Sequence, residues 1–394
     1  MGSQNDVSRI VRTTAIYFIN TVILLIVLNV ILGIYYHFYD AHEARDPNRI
    51  FSTYPNSIVL QNIHELFPTM TQAQVAQLLN EEYRTWQAEW FTGFSEAPFH
   101  GKYVNVSPYG FRVGTNQGPW PPDHKKDYVV FLFGGSTAFS YGETDDQAFG
   151  SVLQPLLEKK LGRPVAVYNF GQSSWFTTQE RILFEQLIMS GQRPDMAIFL
   201  DGLNDFHWVN QVMPALPDER PIWRQAPTWK SVLSDAKRMM PMTRLAVAVR
   251  RTMEQAAHRK TSNEMKVSNT KFDDPVALQG AVDRYFTNKR LIEAEAKEYG
   301  IKPLFVWEPT PFYENDMQYD PFIKPEYGFS FTGFTYTKYG YPLMRETVDR
   351  THPDNFLWCA DLQQGRHELL YVDAYHYSPK MTEIISDCIV DGVK

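Results

Sequence analysis

The hydrophobic pattern changes character three times along the chain. From Thr13 to Tyr36 the run TTAIYFINTVILLIVLNVILGIYY carries no charged side chain, and Asn20 and Asn29 are its only strongly polar interruptions. At ~1.5 Å per residue such a run reaches about 36 Å, enough to cross a ~30 Å hydrocarbon core with some tilt. Tyr17, Tyr35 and Tyr36 stand where interfacial aromatics belong. The apolar part of a signal peptide is shorter, and no small-x-small cleavage site follows Tyr36 closely, so the pattern predicts a retained anchor over 13–36 behind a short head, 1–12. Residues 37–126 predict a helical juxtamembrane arm and linker. Within it, Met70 to Trp90 reads as one helix opened by Thr71, YVNVSPYGFRV (103–113) as a strand pair or extended arm, and the Pro- and Gly-rich 114–126 as a surface connection.

From residue 127 onward, short apolar runs alternate with helical segments. DYVVFLF (127–133), PVAVYNF (164–170), DMAIFLD (195–201) and IKPLFVWEP (301–309) predict buried strands. Segments 147–161, 176–191 and 276–299, and the tail from about Pro379, predict helices. This alternation implies an α/β fold: a three-layer α/β/α sandwich on a parallel sheet of about five strands, flavodoxin-like in winding. The stretch 207–275 interrupts the rhythm as an insertion in a domain spanning 127–394.

Charge refines the picture. Lys and Arg total 38 against 45 Asp and Glu, giving −7 overall, a balance that argues against a nucleic-acid binder. The imbalance is local: residues 221–260 hold nine basic and two acidic residues, so the rest of the chain carries −14. That insertion reads as a solvated helical face, a membrane-surface patch or a dock for an anionic glycan. Arg9 and Arg12 before the apolar run are matched by Arg45 and Arg49 after it; the free amino terminus tips the head to the cytoplasm and the rest outside. The sequon Asn105-Val106-Ser107 is followed by Pro108, a poor acceptor, which favours a bacterial envelope over a eukaryotic secretory lumen.

Candidate chemistry sits at the strand ends. Strand 127–133 runs into Gly134-Gly135-Ser136-Thr137, where an α/β fold exposes a reactive group at the carboxyl end of its sheet. A phosphate loop would need a later Gly-Lys-Ser/Thr, a dinucleotide turn Gly-x-Gly-x-x-Gly, and an α/β-hydrolase elbow a glycine where this chain has Ala138. A nucleophilic serine on another α/β scaffold remains. The neighbouring strands end at Asn169-Phe170-Gly171-Gln172 and Asp201-Gly202-Leu203-Asn204-Asp205, and backbone N–H groups with an Asn side chain can supply an oxyanion hole. Serine needs a base. Asp373 and His376, three apart before the helix N-cap Ser378, can place a carboxylate on one imidazole nitrogen and leave the other for the serine. The ten histidines do not cluster with ligand spacing, so no metal or other cofactor is expected.

These blocks, in this order, resemble the SGNH (GDSL-type) hydrolase family over about 127–390. Ser136 matches its nucleophile, Gly171 and Asn204 its oxyanion donors beside the Ser136 N–H, and His376 its base with Asp373 as partner. Gly135 departs from the usual Asp, and Ser174 or Trp175 stands where a second block-two glycine is usual. The anchored arm and VWEPTP (306–311) look similar to membrane-tethered SGNH proteins of bacterial surface-polysaccharide systems. The resemblance implies a serine esterase or deacylase on the periplasmic side of an inner membrane. Its substrate would be an acyl ester, including an acylated glycan, and its partners proteins of polysaccharide assembly. An O-acyltransferase using the same site and a tethered scaffold with a vestigial site are the alternatives. Cys359 and Cys388, the only cysteines, would in an oxidising compartment close a loop around Asp373 and His376.

Overall fold

The computed structural model describes residues 2–43, 47–52, 56–82, 86–209, 240–258, 271–322 and 335–393. The chain forms two compact units, one of Met1–Arg49 with Asp218–Lys266 and one of Ile50–Pro217 with Val267–Lys394.

In the first unit, helix α1 (Gly2–Glu43) extends beyond the apolar run at both ends, and Ser8–Phe38 within it is long and apolar enough to span a membrane. None of that stretch is buried by protein. The insertion contributes one described helix to this unit, Pro241–His258; residues 210–239 and 259–270 of the insertion lie outside the described residues.

The second unit is built on a five-stranded parallel sheet. Its strands are β5 (Tyr128–Gly134), β6 (Val165–Asn169), β7 (Met196–Asp201), β8 (Lys302–Trp307) and β9 (Phe356–Trp358), in the order β6-β5-β7-β8-β9. That order is flavodoxin-like. β5, β6 and β7 are buried along their whole length, which is why they read as unbroken apolar runs. Alternate β5 side chains serve opposite faces. Val130 and Leu132 pack with Phe149, Leu153 and Leu157 of α6 (Phe149–Leu161) and with Met381, Ile385 and Ile389 of α12 (Pro379–Gly392). Val129, Phe131 and Phe133 pack with Phe184 and Ile188 of α7 (Thr177–Met189) and Ile292 of α10 (Pro275–Tyr299). Across the second face, Phe133, Phe199 and Phe305 stack at centroid spacings of 4.9 and 5.2 Å. A further helix, α11 (Tyr336–Thr351), was not expected from the pattern; Pro342 inside it obscures the helical period.

Residues from Ile50 to 126 belong to the same compact unit as the sheet. Helices α2 (Asn56–Gln61), α3 (Ile63–Leu66) and α4 (Gln72–Glu82) bring Ile58, Val59, Leu66, Val75 and Leu78 into one core with Phe139, Tyr141, Val372 and Ala374. The expected helix from Met70 to Trp90 is shorter. It starts after Thr71, whose N–H and hydroxyl both donate to Gln74 Oε1, and ends at Glu82. Beyond it β1 (Trp86–Glu89) and β2 (Gly93–Glu96) form a hairpin, with Trp86 stacked on Phe94 at 5.0 Å. Cross-strand aromatic pairing outweighs helical propensity there. The 103–113 segment is extended as read: β4 (Asn105–Val106) pairs with β3 (Phe99–His100), and Arg112 bridges to Asn169 at the sheet edge.

Candidate active site

The parallel register sets the strand ends side by side. Gly134 of β5 pairs with Leu200 of β7, Leu132 with Asn169 of β6, and Asp201 of β7 with Trp307 of β8. The turns carrying Ser136, Gly171 and Asn204 therefore emerge from one edge of the sheet. Ser136 opens the short helical turn α5 (Ser136–Phe139), and Asn204 lies on α8 (Leu203–His207). The loop 371–378 returns to the same edge: Val372 N donates to His376 O, and Ser378 caps α12 by accepting from Met381 N.

Three side chains meet there. Ser136 Oγ lies 2.8 Å from His376 Nε2, and His376 Nδ1 lies 2.6 Å from Asp373 Oδ2. With a carboxylate facing Nδ1, that nitrogen carries the hydrogen and Nε2 is left as acceptor for the serine hydroxyl. Asp373 Oδ1 accepts from the N–H groups of Tyr375 and His376 at 2.9 and 2.8 Å. Burial alone would push the Asp373 carboxyl up; attraction to His376 and the hydrogen bonds from His376 and Tyr375 more than offset it, so it sits below the ordinary carboxylate range. All three residues are less than a tenth exposed.

The expected oxyanion donors are arranged unequally. Asn204 Nδ2 donates one hydrogen to Trp175 O at 2.8 Å and lies against Gly135, where an added Cβ would come within 2.3 Å of it. A side chain at 135 would make that amide shift. No acceptor for the Ser136 N–H is present among the described residues. Gly171 makes a close approach to α5, for a Cβ there would stand 2.4 Å from Phe139 N. Its N–H, however, donates to Asn169 Oδ1 at 2.9 Å, so an oxyanion would have to share that hydrogen. Gly171 is as much a packing residue as a donor.

Several residues that hold this geometry escaped the sequence reading. Arg112, 1% exposed, donates to Phe139 O at 2.8 Å and Ser140 O at 2.6 Å, the carbonyls that end the Ser136 turn, and pairs with Asp145 at 3.1 Å. Tyr141 stacks on the His376 ring at 5.1 Å and donates to Glu96 Oε1 at 2.8 Å. Gln172 accepts from Glu96 N and donates to Gly110 O, tying the 171–175 loop to the preceding segment. Glu308, from VWEPTP, accepts from Leu203 N at 3.1 Å and from Tyr377 OH at 3.0 Å, joining the Asn204 turn to the His376 loop. Glu308 and Gln172 lay in motifs that stood out in the sequence; nothing in the sequence marked Arg112, Tyr141 or Glu96 for these roles. A disulfide joins Cys359, just after β9, to Cys388 on α12. Among the described residues no group of His, Cys, Asp and Glu is placed to hold a metal ion.

No family model matches the chain, and no curated protein does. Solved structures do. The lipase Lip_vut3 from a goat rumen metagenome is matched at 12% identity over 67% of this chain and 96% of its own, with a TM-score of 0.39. An acetyl xylan esterase is matched at 12% identity over 68% and 100%, with a TM-score of 0.35. A lipase/acylhydrolase from Enterococcus faecalis is matched at 14% identity over 67% and 93%, with a TM-score of 0.36. What this protein does is therefore read from the geometry of its own site.

Proposed function

We propose that this protein is an SGNH-type serine hydrolase acting on acyl esters, with Ser136 as nucleophile, His376 as base and Asp373 as its partner. The observation that carries the reading is the unbroken run from Ser136 Oγ through both His376 nitrogens to Asp373, with spacings of 2.8 and 2.6 Å. As Ser136 Oγ attacks the ester carbonyl, its proton passes to His376 Nε2. The imidazolium so formed is stabilised by Asp373, whose depressed pKa keeps it ionised. The Ser136 N–H and the second hydrogen of Asn204 Nδ2 bind the developing oxyanion, with Gly171 N–H as a shared third donor. His376 then protonates the leaving alkoxide, giving an acyl-enzyme that water hydrolyses by the same steps in reverse. The aligned site favours catalysis over a vestigial scaffold.

α1 is read as a membrane anchor, with the second unit outside the cytoplasm. The finer reading, a periplasmic enzyme acting on acylated surface glycans with polysaccharide-assembly partners, rests on the resemblance of the anchored arm and VWEPTP. Labelling with a fluorophosphonate tests the core of the proposal. The wild type should react and Ser136→Ala should not, with ester turnover falling about 10⁴-fold or more and the fold unchanged. Equal labelling of both would remove Ser136 as nucleophile.

A further inference from the structure

The basic insertion is not used by the chemistry above, yet its one described helix, α9 (Pro241–His258), is attached to α1 in a specific way. Pro241 abuts Gly33, where an added Cβ would touch its Cγ at 3.5 Å, and Arg244 lies over the Tyr36 ring at 4.1 Å. The first N–H groups of a helix have no partner within it, and in hydrocarbon each would be costly to leave bare. In α9 none of them is bare. Pro241 has no N–H; Met242 N donates to the Asn29 side chain at 3.2 Å; Thr243 N and Arg244 N donate to Met240 O at 2.9 and 3.2 Å. Asn29 itself donates back to Leu25 O. One of the two strongly polar residues of the apolar run is thus spent on the end of a second helix.

Depth follows from position. At 1.5 Å per residue, Asn29 stands only about 7 Å from the midpoint of 13–36, inside a hydrocarbon half-thickness of ~15 Å. Tyr36 and Arg244 fall at the level of the headgroups. α9 is strongly amphipathic: Met242, Leu245, Val249 and Met253 recur at helical spacing on one stripe. Leu245, Val249 and Met253 are exposed, so α1 does not cover that stripe.

We propose that α9 is a second membrane-embedded element. Its capped first turn docks on α1 below the headgroups, and its apolar stripe lies in the acyl chains of a leaflet whose anionic phosphates complement the cationic insertion. The occupant is the lipid bilayer. The proposal rests on the reading of α1 as a span, and the test separates the two.

The full chain is reconstituted in nanodiscs of phosphatidylethanolamine and phosphatidylglycerol. Because Cys359 and Cys388 are joined, a bimane can be placed on a single introduced thiol: Val249→Cys or Met253→Cys in α9, Leu24→Cys in α1, or Met189→Cys at the exposed end of α7. Lipid with a nitroxide on its acyl chain should quench the α9 and α1 labels with similar loss of fluorescence, while aqueous iodide should quench only the α7 label. Replacing phosphatidylglycerol by phosphatidylcholine should weaken the lipid quenching in α9 and leave α1 unchanged. Iodide access at 249 and 253 with Leu24→Cys still lipid-quenched would overturn the proposal and leave the span intact. Iodide access at all sites would overturn both. Labels at 249 and 253 shielded from both quenchers would mean that protein, such as a second copy of the chain, covers the stripe, and the lipid proposal would fall.

Discussion

The two flanks of the Ser136 turn both bury carboxyl groups, and they solve the problem differently. On one flank Glu82, Glu143 and Asp145 surround a buried cation, Arg112. Burial raises Glu82 and Glu143 to about 8 in spite of Arg112's attraction, and Glu82 accepts from Gly142 N at 2.7 Å. On the other, Glu180, Asp201, Asp205 and Glu308 gather under the Asn204 turn, and Arg284 is the cation that opposes them, through Asp205. Burial, with the repulsion of the neighbouring carboxylates, pushes Glu180 and Asp201 well up. Burial raises Glu308 to about 7 against the bonds from Leu203 N and Tyr377 OH. Both flanks hold raised carboxyls, but the arginine flank is also organised around a fixed charge that bonds the carbonyls ending the Ser136 turn. Both should respond to losing hydrogen ions, and the arginine flank should respond most to losing one residue.

The largest expected effect is on the arginine flank. Arg112→Ala leaves the Phe139, Ser140 and Glu143 carbonyls and Asp145 without their buried partner. It should cost about 3–5 kcal/mol, seen as a fall in Tm, with esterase activity lost in parallel. A variant within 1 kcal/mol of wild type would deny Arg112 its organising part.

Next comes Asn204→Ala, at the acid flank. Loss of one oxyanion donor should lower kcat about 10²–10³-fold with little change in KM. An undiminished rate would leave the Ser136 N–H and Gly171 to hold the oxyanion without it.

The pH response addresses both flanks together. Glu82, Glu143 and Glu308 keep their protons in the folded state to about 8, 8 and 7, whereas unfolded they release them near 4.5. Between those values the folded chain binds more protons, so stability falls as pH rises from about 5 to 8. The slope is at most about 1.4 kcal/mol per pH unit for each carboxyl. Asp373 has the opposite sign: its contribution is lost only in acid, as pH falls through its depressed value. Calorimetry from pH 5 to 9 should show Tm declining, and Glu82→Gln should flatten the decline; a Tm that rises toward pH 8 would reverse the assignment.

The smallest effect sharpens the arginine flank. Tyr141→Phe keeps the ring against His376 but loses the bond to Glu96, and should lower kcat/KM about 10-fold, near 1.4 kcal/mol. Glu96→Gln, which keeps an acceptor, should restore most of what a non-bonding Glu96→Leu loses. Equal rates in all of these variants would make the pair structural only.

Much of this molecule could be read from one dimension. The buried strands are apolar throughout because both sheet faces are covered, so β5 to β8 stand out, and glycine-bounded strand ends mark Ser136, Gly171 and Asn204. Asp373 and His376 are legible because both lie on one short loop before a capped helix; that they reach Ser136 across 240 residues is a matter of sheet register. The long apolar run is legible because length and missing charge are properties of sequence alone. Other features were decided only in three dimensions. Arg112, Glu96 and Tyr141 act through carbonyls, rings and carboxyls far along the chain, and no periodicity encodes such pairs. The Asn169 side chain, not any motif, determines that Gly171 N–H is already engaged. Local sequence fixes what a backbone segment prefers; which buried charge meets which partner depends on packing, where desolvation makes a single contact worth kilocalories.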